Sequence, residues 1–338
     1  MKILYAIQAT GNGHIARAEE LLPYLTTNAS VDILVSGTSS EIELGHPIKF
    51  KFTGLSFVFG QKGGVHIWKT IAAMKLGRFL KDVKEINLGA YDMVISDFEP
   101  VSAWASLWQK KYCVALSHQF SLLDANTPKP LKNNRLASLL LKYYAPVTKG
   151  YGFHFERYSN DIYLPIIKRE IKQQQVSIKN YFVVYLPAYG DEILIKVLSE
   201  INKTNWIVFS KHAQRKYAFG NVVIEPISKE RFNKKLINCR GVLCGAGFET
   251  PAETLYLKKQ LMVIPMKNQY EQQCNAQALK ALGVPVLYDF NTTKIKEIKR
   301  WVLSKEIVAV DYESTPQKIV NKIFIDFIKQ KVSLPLYT

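Results

Sequence analysis

Residues 243–276 read LCGAGFETPAETLYLKKQLMVIPMKNQYEQQCNA, and this stretch contains the pattern that decides the fold. An apolar strand runs into the turn Gly245-Ala246-Gly247, and the turn leads directly into a helical pattern. A second apolar strand, QLMVIP at 260–265, follows that helix. Strands that alternate with helices in this way indicate a parallel sheet with helices on both of its faces.

The same alternation extends over all 338 residues. Apolar, strand-like runs lie at 2–7, 31–37, 91–97, 112–118, 181–187, 206–210, 221–227, 241–245, 260–265 and 284–288, and helical patterns lie at 15–25, 101–110, 191–200, 229–238 and 270–281. With about 150 residues per domain, this predicts an α/β protein of two doubly wound, Rossmann-like units that face an interdomain cleft. We expect an N-terminal unit of residues 1–160, a hinge near 162–167 and a C-terminal unit of residues 161–314. We expect the helical residues 315–338 to pack back on the first unit.

The composition narrows the class of protein. The chain is 48% hydrophobic and 22% charged, as globular proteins are, and its formal net charge is +17. Such a charge favours anionic ligands or surfaces, but we expect no nucleic acid, because no known nucleic-acid-binding motif accompanies it. The N-terminal apolar run is too short for a signal peptide, and no segment approaches the ~20 apolar residues of a membrane span. We therefore expect a cytoplasmic protein.

Residues 8–18, QATGNGHIARA, contain Gly11, Gly13 and Ala16 at the spacing GxGxxA, which is the loose form of the dinucleotide-binding fingerprint. A dinucleotide site also needs an acidic residue at the end of the second strand, to hold the ribose hydroxyls. That strand ends here without one, and the nearby Asp32 lies at its start. We therefore expect no NAD, and the glycines are interpreted as a tight turn between strand and helix.

His14 follows these glycines in the first helical turn. A helix N-terminus disfavours the charged imidazolium, so His14 suits the role of a neutral general base. ISDFEP, at 95–100, places Asp97 and Glu99 at the end of another strand, and the carboxyl ends of parallel strands share one edge of a sheet. We expect Asp97 to fix the tautomer of His14, with helix capping as the alternative role for Asp97.

Further residues follow the strands at the same edge of the first sheet. His118 ends the run 112–118, and Gln119 follows it directly. The acceptor-side candidates are Gly11, Asn12, Gly13, Glu99, His118 and Gln119.

The glycine turn of the second half has the chemistry of an anion site. A turn that leads into a helix N-terminus offers backbone N–H groups and a partial positive charge, which suit a diphosphate. The residues predicted to bind it are Gly245, Ala246, Gly247, Phe248, Glu249 and Thr250. Glu253, one turn further along the helix, can accept hydrogen bonds from ribose hydroxyls.

This stretch resembles the donor-binding signature of nucleotide-sugar glycosyltransferases of the GT-B fold. The similar groups are the peptidoglycan-precursor N-acetylglucosaminyltransferase, the galactolipid synthases and the UDP-glycosyltransferases. The resemblance implies that Gly245, Gly247 and Thr250 bind the diphosphate, that Glu253 binds ribose and that Glu271 and Gln272 bind the sugar, with Asn275-Ala276 closing the pattern. GNGH with His14 is similar to the glycine loop that ends in His in the same families.

The resemblance implies an inverting glycosyltransferase that moves a hexose or N-acetylhexosamine from a nucleotide sugar, UDP-sugar foremost, to a hydroxyl acceptor. No metal is expected, because the helix N-terminus meets the donor's charge and no DxD-type cluster follows a strand. The acceptor class includes lipid-linked molecules, envelope glycans and phosphate polymers. Two alternatives stay open: an isomerase similar to UDP-N-acetylglucosamine 2-epimerase, and a non-catalytic protein that binds nucleotide sugars or nucleic acid.

Residues 67–86 have a helical pattern with an apolar face and a basic remainder. Trp68, Ala72, Leu76, Phe79 and Val83 share the apolar face. Such a pattern occurs in helices on anionic membrane surfaces, and more often in core-facing helices with solvated lysines. A peripheral position on the inner face of the membrane is thus one alternative.

Overall fold

The computed structural model describes residues 1–9, 12–37, 44–55, 76–130, 135–313 and 316–333. In these ranges the chain forms two α/β units, each built on one mainly parallel sheet. The predicted architecture of two Rossmann-like units is confirmed.

The first unit contains a fully parallel sheet in the order β3-β2-β1-β4-β5-β6-β7. Its described elements are β1 (Lys2–Gln8), α1 (Asn12–Asn28), β2 (Ser30–Ser36), β3 (Ile48–Phe52), α2 (Leu76–Glu85), β4 (Met93–Asp97), α3 (Pro100–Trp108), β5 (Cys113–Ser117), α4 (His118–Ser121), α5 (Arg135–Tyr144), β6 (Lys149–Phe153) and β7 (Ile162–Tyr163).

The second unit contains a sheet in the order β10-β11-β9-β8-β12-β13, in which only β10 runs antiparallel to its neighbour. Its elements are α6 (Arg169–Lys172), β8 (Phe182–Tyr185), α7 (Asp191–Leu198), β9 (Trp206–Ser210), β10 (Tyr217–Phe219), β11 (Val222–Pro226), α8 (Lys229–Asn238), β12 (Gly241–Gly245), α9 (Glu249–Tyr256), β13 (Gln260–Ile264), α10 (Tyr270–Ala281) and α11 (Ile295–Ser304). A last helix, α12 (Pro316–Ser333), follows.

The strand orders place a topological switch point in each sheet. The order reverses between β1 and β4 in the first sheet and between β8 and β12 in the second. Ligands of such sheets bind outside the carboxyl ends of the strands at these points. Gly13 and His14 lie in the first turn of α1, which follows β1, and the turn at Gly245-Ala246-Gly247 ends β12, so the described parts of both glycine motifs lie where the fold predicts a ligand.

The central strands, β1 and β4 in the first sheet and β8 and β12 in the second, are buried along almost their whole length because both faces of each sheet are covered there. In β1, Ile3, Tyr5 and Ile7 are buried toward α1, while Leu4 and Ala6 are buried toward the opposite face. Continuous apolar runs of this kind are expected in parallel sheets between two helix layers.

The predicted strand at 284–288 is wrong. Val286 forms only an isolated bridge with Val263, and no strand extends from it. Pro285 lacks the N–H group that a ladder needs, which limits pairing here to a single contact.

The first sheet extends beyond the predicted boundary at residue 160. β7 pairs with β6 and lies within the predicted hinge at 162–167, so Tyr163 still belongs to the first unit. α12 packs against α1. The Asp326 carboxylate accepts hydrogen bonds from Lys149 (2.6 Å) and Tyr151 (2.5 Å) of β6, so α12 is tied to the first sheet.

The predicted helix at 67–86 is described only from Leu76 onward, and residues 67–75 lie outside the described ranges. In α2, Phe79 and Val83 are buried, as their place on the apolar face requires, but Leu76 is exposed. None of the helices in the described ranges is long and apolar enough to cross a membrane.

Candidate active site

His14 and Asp97 meet at the switch point of the first sheet. His14 lies in the first turn of α1 and Asp97 is the last residue of β4. The Nδ1 atom of His14 is 2.8 Å from Oδ1 of Asp97, which is fully buried. Because an ionised carboxylate only accepts hydrogen bonds, Nδ1 carries the proton in the neutral ring and Nε2 is the basic nitrogen.

Arg17 is a third member of this group that sequence reasoning missed. Its Nη2 and Nε atoms donate to the Asp97 carboxylate at 2.8 and 3.1 Å, and its Nη1 donates to Glu249 of the second unit at 3.0 Å. Residues three apart on a helix share a face, so the spacing from His14 was an available signal. Arg17 thus joins the His14–Asp97 pair to the other unit.

The charges around Asp97 keep it ionised. Burial alone raises the pKa of Asp97, but the charges of Arg17 and His14, with their hydrogen bonds, outweigh that effect and hold the pKa below its ordinary value. Burial likewise lowers the pKa of Arg17, but Asp97 and Glu249 more than compensate. An ionised Asp97 can stabilise a protonated His14.

Glu99, which is also predicted as an acceptor-side residue, makes its side-chain hydrogen bonds to the start of α3. Its carboxylate accepts hydrogen bonds from the N–H groups of Val101 (2.8 Å) and Ser102 (2.6 Å), and the side chain is fully buried. Glu99 therefore caps α3, which begins at Pro100. The capping role considered for Asp97 belongs to Glu99.

The glycine turn of the second unit leads from β12 into α9. A Cβ on Gly247 would meet nothing within 4 Å, whereas one on Gly245 would lie 3.4 Å from the Gln272 amide oxygen. No side chain caps the N-terminus of α9 at Phe248. The backbone at Gly247 thus borders open space, and Ala246 is buried beneath it.

Glu249 brings the two glycine motifs together. Its carboxylate packs on Gly13, where a Cβ would lie only 2.4–2.6 Å from the carboxylate atoms. Only glycine permits this approach. Gly11 and the side chain of Asn12 lie outside the described part of the chain.

Glu253 is paired with a lysine from the segment that joins the units. Its carboxylate is 2.9 Å from Nζ of Lys168, and the residue is 3% exposed. Burial raises the pKa of Glu253, although the Lys168 charge opposes the shift. On the same helix, the carbonyl oxygen of Thr250 accepts a hydrogen bond from the Thr254 hydroxyl.

The two residues predicted to bind the sugar, Glu271 and Gln272, contact different parts of the molecule. Glu271 faces the first unit, where Nε2 of Gln119 donates to its carboxylate at 3.2 Å. Gln272 turns back to its own loop and accepts a hydrogen bond from the Met266 N–H at 2.9 Å.

His118 lies inside the contact between the units. Its ring stacks on Phe248 with centroids 4.0 Å apart, and its Nδ1 is 2.7 Å from the Phe153 carbonyl oxygen. Its Nε2 is 2.9 Å from Oδ1 of Asn275, whose amide donates to Ala246. Burial lowers the pKa of His118. At 1% exposure, His118 joins the units and does not line an open surface.

The described residues contain no cluster of three or more His, Cys, Asp or Glu side chains that could hold a metal ion. Cys113, Cys239, Cys244 and Cys274 are free and buried. The titratable and charged side chains described at the cleft include His14, Asp97, Arg17 and the carboxylates of α9 and α10.

Two α/β units, with a histidine–carboxylate pair at one switch point and a glycine turn into a helix at the other, define a protein of the GT-B glycosyltransferase class. The comparison with known families agrees. The chain belongs to glycosyl transferase family 1, whose model matches residues 1–304.

Solved structures share this fold over almost the whole chain. The glycotransferase of kitacinnamycin has a TM-score of 0.64 at 11% identity, with 97% of this chain and 95% of that chain covered. A UGT from Arabidopsis thaliana, complexed with UDP, has a TM-score of 0.63 at 13% identity, with 96% and 99% covered. The spinosyn forosaminyltransferase has a TM-score of 0.61 at 11% identity, with 97% and 99% covered. No curated protein sequence matches the chain at a significant level.

Proposed function

We propose that the protein is an inverting glycosyltransferase that moves a hexose or N-acetylhexosamine from a UDP-sugar to a hydroxyl acceptor. The observation that carries this proposal is the contact of His14 with the buried Asp97, at a switch point that faces the glycine turn of the other unit. A base supported in this way has a clear use in a transferase and none in a protein that only binds nucleotide sugars or nucleic acid.

In the proposed reaction, Nε2 of His14 removes the proton from the acceptor hydroxyl. The hydroxyl oxygen forms a bond to the anomeric carbon of the donor, the bond from that carbon to the diphosphate oxygen breaks, and UDP leaves. A single displacement of this kind inverts the configuration at the anomeric carbon. General-base help contributes typically about 10²–10⁴-fold.

The donor side is proposed at the turn between β12 and α9. The uncapped start of α9 presents backbone N–H groups and about half a unit of positive charge, which can stabilise the departing diphosphate without a metal. Gly247 leaves space for a ligand at this backbone. The choice of UDP is supported by the structural relative that is complexed with UDP.

Replacing His14 tests the base. We expect His14→Ala to bind UDP with nearly unchanged affinity and to turn over at least about a hundredfold more slowly, because the donor is held by the other unit. Calorimetry with UDP and a UDP-release assay measure the two quantities. His212→Ala, at an exposed histidine, is the matched control. Normal turnover in His14→Ala would exclude His14 as the base.

The ribose assignment is tested at Glu253. We expect Glu253→Gln to weaken UDP binding by about tenfold, since a hydrogen bond to a charged group contributes roughly 1.5–3 kcal/mol. Glu225→Gln, at another buried glutamate of the second unit that pairs with a lysine, should leave UDP affinity unchanged. Equal affinities in the two variants would contradict ribose binding by Glu253.

The sugar itself is proposed to contact Glu271 and Gln272.

Incubation with a UDP-sugar in the absence of an acceptor distinguishes the isomerase from the transferase. An epimer formed from UDP-N-acetylglucosamine without free UDP would assign an epimerase, whereas acceptor-dependent release of UDP supports the transferase. A thermal-shift series of UDP-, GDP- and dTDP-sugars identifies the donor, because a ligand of the folded chain raises its stability.

A lipid-linked or envelope acceptor, reached from the inner face of the membrane, is proposed from the charge distribution. The chain carries a net charge of +17, and α2 contributes Arg78, Lys81 and Lys84. Anionic membranes attract such surfaces by about 1 kcal/mol per basic residue close to the membrane. Co-sedimentation with vesicles should therefore require anionic lipid and decrease with salt, and equal binding to neutral vesicles would contradict this part of the proposal.

A further inference from the structure

Asn275 lies in α10 of the second unit and is completely buried. Its Nδ2 atom donates a hydrogen bond to the carbonyl oxygen of Ala246 at 3.1 Å. Because a carbonyl oxygen only accepts hydrogen bonds, the amide nitrogen of Asn275 faces Ala246, and its amide oxygen, Oδ1, is left for another donor. Asn275 thus holds the middle residue of the turn Gly245-Ala246-Gly247 from below.

The hydrogen bond at Ala246 also fixes the direction of the next N–H group. In a planar trans peptide, the C=O of one residue and the N–H of the following residue point in opposite directions. The Ala246 carbonyl points toward the buried Asn275, so the Gly247 N–H points away from it. Among the residues that the structure describes, no oxygen accepts this N–H. A Cβ on Gly247 would meet nothing within 4 Å, so a ligand has room beside this donor.

His118 approaches the same turn from the first unit. Its Nε2 atom lies 2.9 Å from Oδ1 of Asn275. Since an amide oxygen accepts hydrogen bonds and never donates them, Nε2 carries the proton of this contact. Both side chains are buried, so water does not compete for the hydrogen bond. The contacts therefore extend without a break from the first unit through Asn275 to Ala246.

The His118 ring makes a second contact with the turn. It stacks on the ring of Phe248, with centroids 4.0 Å apart and an angle of 6° between the two planes. Phe248 directly follows Gly247 and precedes the first residue of α9. One side chain of the first unit thus contacts the end of the turn directly and its middle through Asn275.

The other ring nitrogen connects His118 to its own unit. Nδ1 lies 2.7 Å from the carbonyl oxygen of Phe153, the last residue of β6. This contact stays inside the first unit and does not involve the turn. The two nitrogens of His118 therefore make different contacts, and substitutions can remove these contacts one at a time.

We propose that His118 is a positioning residue of the donor site: through Asn275 it holds the Ala246 carbonyl inward and so directs the Gly247 N–H at the diphosphate of the UDP-sugar. This inference rests on the proposed transfer reaction, because it assigns the ligand of that N–H to the donor. When the bond between the anomeric carbon and the diphosphate oxygen breaks, its electron pair stays on the diphosphate. The added negative charge strengthens the hydrogen bond from Gly247.

Two substitutions of His118 distinguish its nitrogens. The amide nitrogen of Gln lies as many bonds from Cα as Nε2 of His does, and the amide nitrogen of Asn lies as many bonds from Cα as Nδ1. We expect His118→Gln to bind UDP like the unchanged chain. His118→Asn keeps only the contact with Phe153 and should bind UDP about tenfold more weakly, the order of one hydrogen bond to a charged group. Calorimetry measures both affinities.

Uridine, which has no phosphate, distinguishes a misplaced turn from a general loss of structure. Its affinity should be the same in both His118 variants and in the unchanged chain, so the ratio of UDP affinity to uridine affinity should fall in His118→Asn only. Gln260→Met is the matched control, because it removes another buried amide of the second unit, which donates to the Trp301 carbonyl. The ratio should not change in this control.

Three results would overturn the role of His118. They are an unchanged UDP affinity in His118→Asn, equal losses of UDP affinity in the two His118 variants, and a loss of uridine affinity that equals the loss of UDP affinity.

Pyrophosphate tests the Gly247 N–H directly in the unchanged chain. We expect saturation with pyrophosphate to move the NMR signal of the Gly247 amide in a chain with isotope-labelled glycine, because a charged acceptor forms a short, strong hydrogen bond. Gly247→Ala, which the open space permits, assigns the signal by its loss. His118→Asn should show a smaller movement at saturation. A Gly247 signal that does not respond to pyrophosphate would contradict the proposal without any variant of His118.

The same titrations keep this inference apart from the proposed function. If UDP binds the unchanged chain and the two His118 variants bind it equally well, the role of His118 is wrong and the donor site still stands. If pyrophosphate moves the Gly247 signal in a way that depends on His118, and no nucleotide sugar binds, the positioning of the turn is supported and the transferase proposal fails.

Discussion

Asp97 is an ionised carboxylate with no contact to water, and it is tolerated because Arg17 and His14 surround it. Taking a charge out of water costs several kcal/mol unless its partners are well placed. The Nη2 and Nε atoms of Arg17 both donate hydrogen bonds to the Asp97 carboxylate. The Nη1 atom of Arg17 donates to Glu249 and so links this group to the second unit. One guanidinium therefore connects the His14–Asp97 pair to the second unit.

Removing the guanidinium should destabilise the chain strongly. We expect Arg17→Met to lower the free energy of unfolding by about 3–5 kcal/mol, because Asp97 is left buried without its main partner. Denaturant titration measures the loss. Lys229→Met breaks another pair between the units, Lys229–Glu19, whose lysine is 57% exposed, and should change stability by no more than about 1 kcal/mol. Similar losses in the two variants would contradict the role of burial.

The roles of single residues could be predicted from the sequence only in part. The positions of His14 and Asp97 follow from the rule that carboxyl ends of parallel strands share an edge. Arg17 also donates to Glu249 in the other unit, more than two hundred positions away, and no local pattern indicates such a contact. DFEP offers two acids as the cap of α3, and only the position of Pro100 at the start of that helix decides that Glu99 is the cap.

The start of α3 depends on the Glu99 side chain. Its two oxygens accept the N–H groups of Val101 and Ser102, which have no partner within the helix. Burial raises the pKa of Glu99, so the cap tolerates loss of the negative charge better than loss of the oxygens.

Glu99→Ala should therefore cost about 1–2 kcal/mol of stability, the value of a helix cap. Glu99→Gln keeps an acceptor oxygen and should cost less. Thermal unfolding compares the two variants. Turnover per folded molecule should be normal in both variants, because the Glu99 carboxylate contacts the start of α3. A large loss of turnover in Glu99→Gln would support the predicted acceptor-side role of Glu99.

Strands that consist of continuous apolar residues could be predicted from the sequence. Strands whose residues are determined by tertiary contacts, such as β6, could not. β6 reads KGYGF, and its glycines weaken the strand pattern. A Cβ on Gly150 would lie 2.3 Å from the Phe120 ring, and one on Gly152 would lie 2.7–2.8 Å from Ile162 and Ser121. The glycines allow α4 to pack closely on the strand, which is a tertiary requirement.

The two units meet through buried contacts as well as through surface ion pairs. His118 stacks on Phe248, and His154 lies 5.1 Å from the His118 ring. His154 is fully buried, and its Nδ1 accepts a hydrogen bond from the Phe155 N–H. Burial, with the charges of His118 and Lys129, lowers the pKa of His154 well below its ordinary value.

This histidine makes stability depend on pH. Below about pH 6.5 the unfolded chain binds a proton at His154 that the folded chain does not, so the free energy of unfolding falls with decreasing pH, by up to about 1.4 kcal/mol per unit. His154→Asn keeps an acceptor for Phe155 and should reduce the fall of the melting temperature between about pH 7 and 5, and the part that remains includes the contribution of His118, whose pKa burial also lowers. His212→Asn, at an exposed site, should keep the slope of the unchanged chain. An unchanged slope in His154→Asn would refute this prediction.

The two-unit architecture could be predicted because alternating strands and helices, with a glycine turn after each switch-point strand, are local signals. The approach of the units is decided by side chains such as Lys168, which leaves its own segment to reach Glu253. Contacts of that kind depend on the angle between two sheets, and apolar periodicity carries no information about it.

Gly13 of the first unit and the Glu249 carboxylate of the second unit lie in close contact across the cleft. A larger side chain at position 13 would displace the Glu249 carboxylate, and this displacement would disturb its hydrogen bond from Arg17. The two positions are therefore expected to covary among homologous sequences, glycine at the first accompanying glutamate at the second. A double-mutant cycle through Gly13→Ala and Glu249→Ala should show strong coupling, with the second substitution relieving the first.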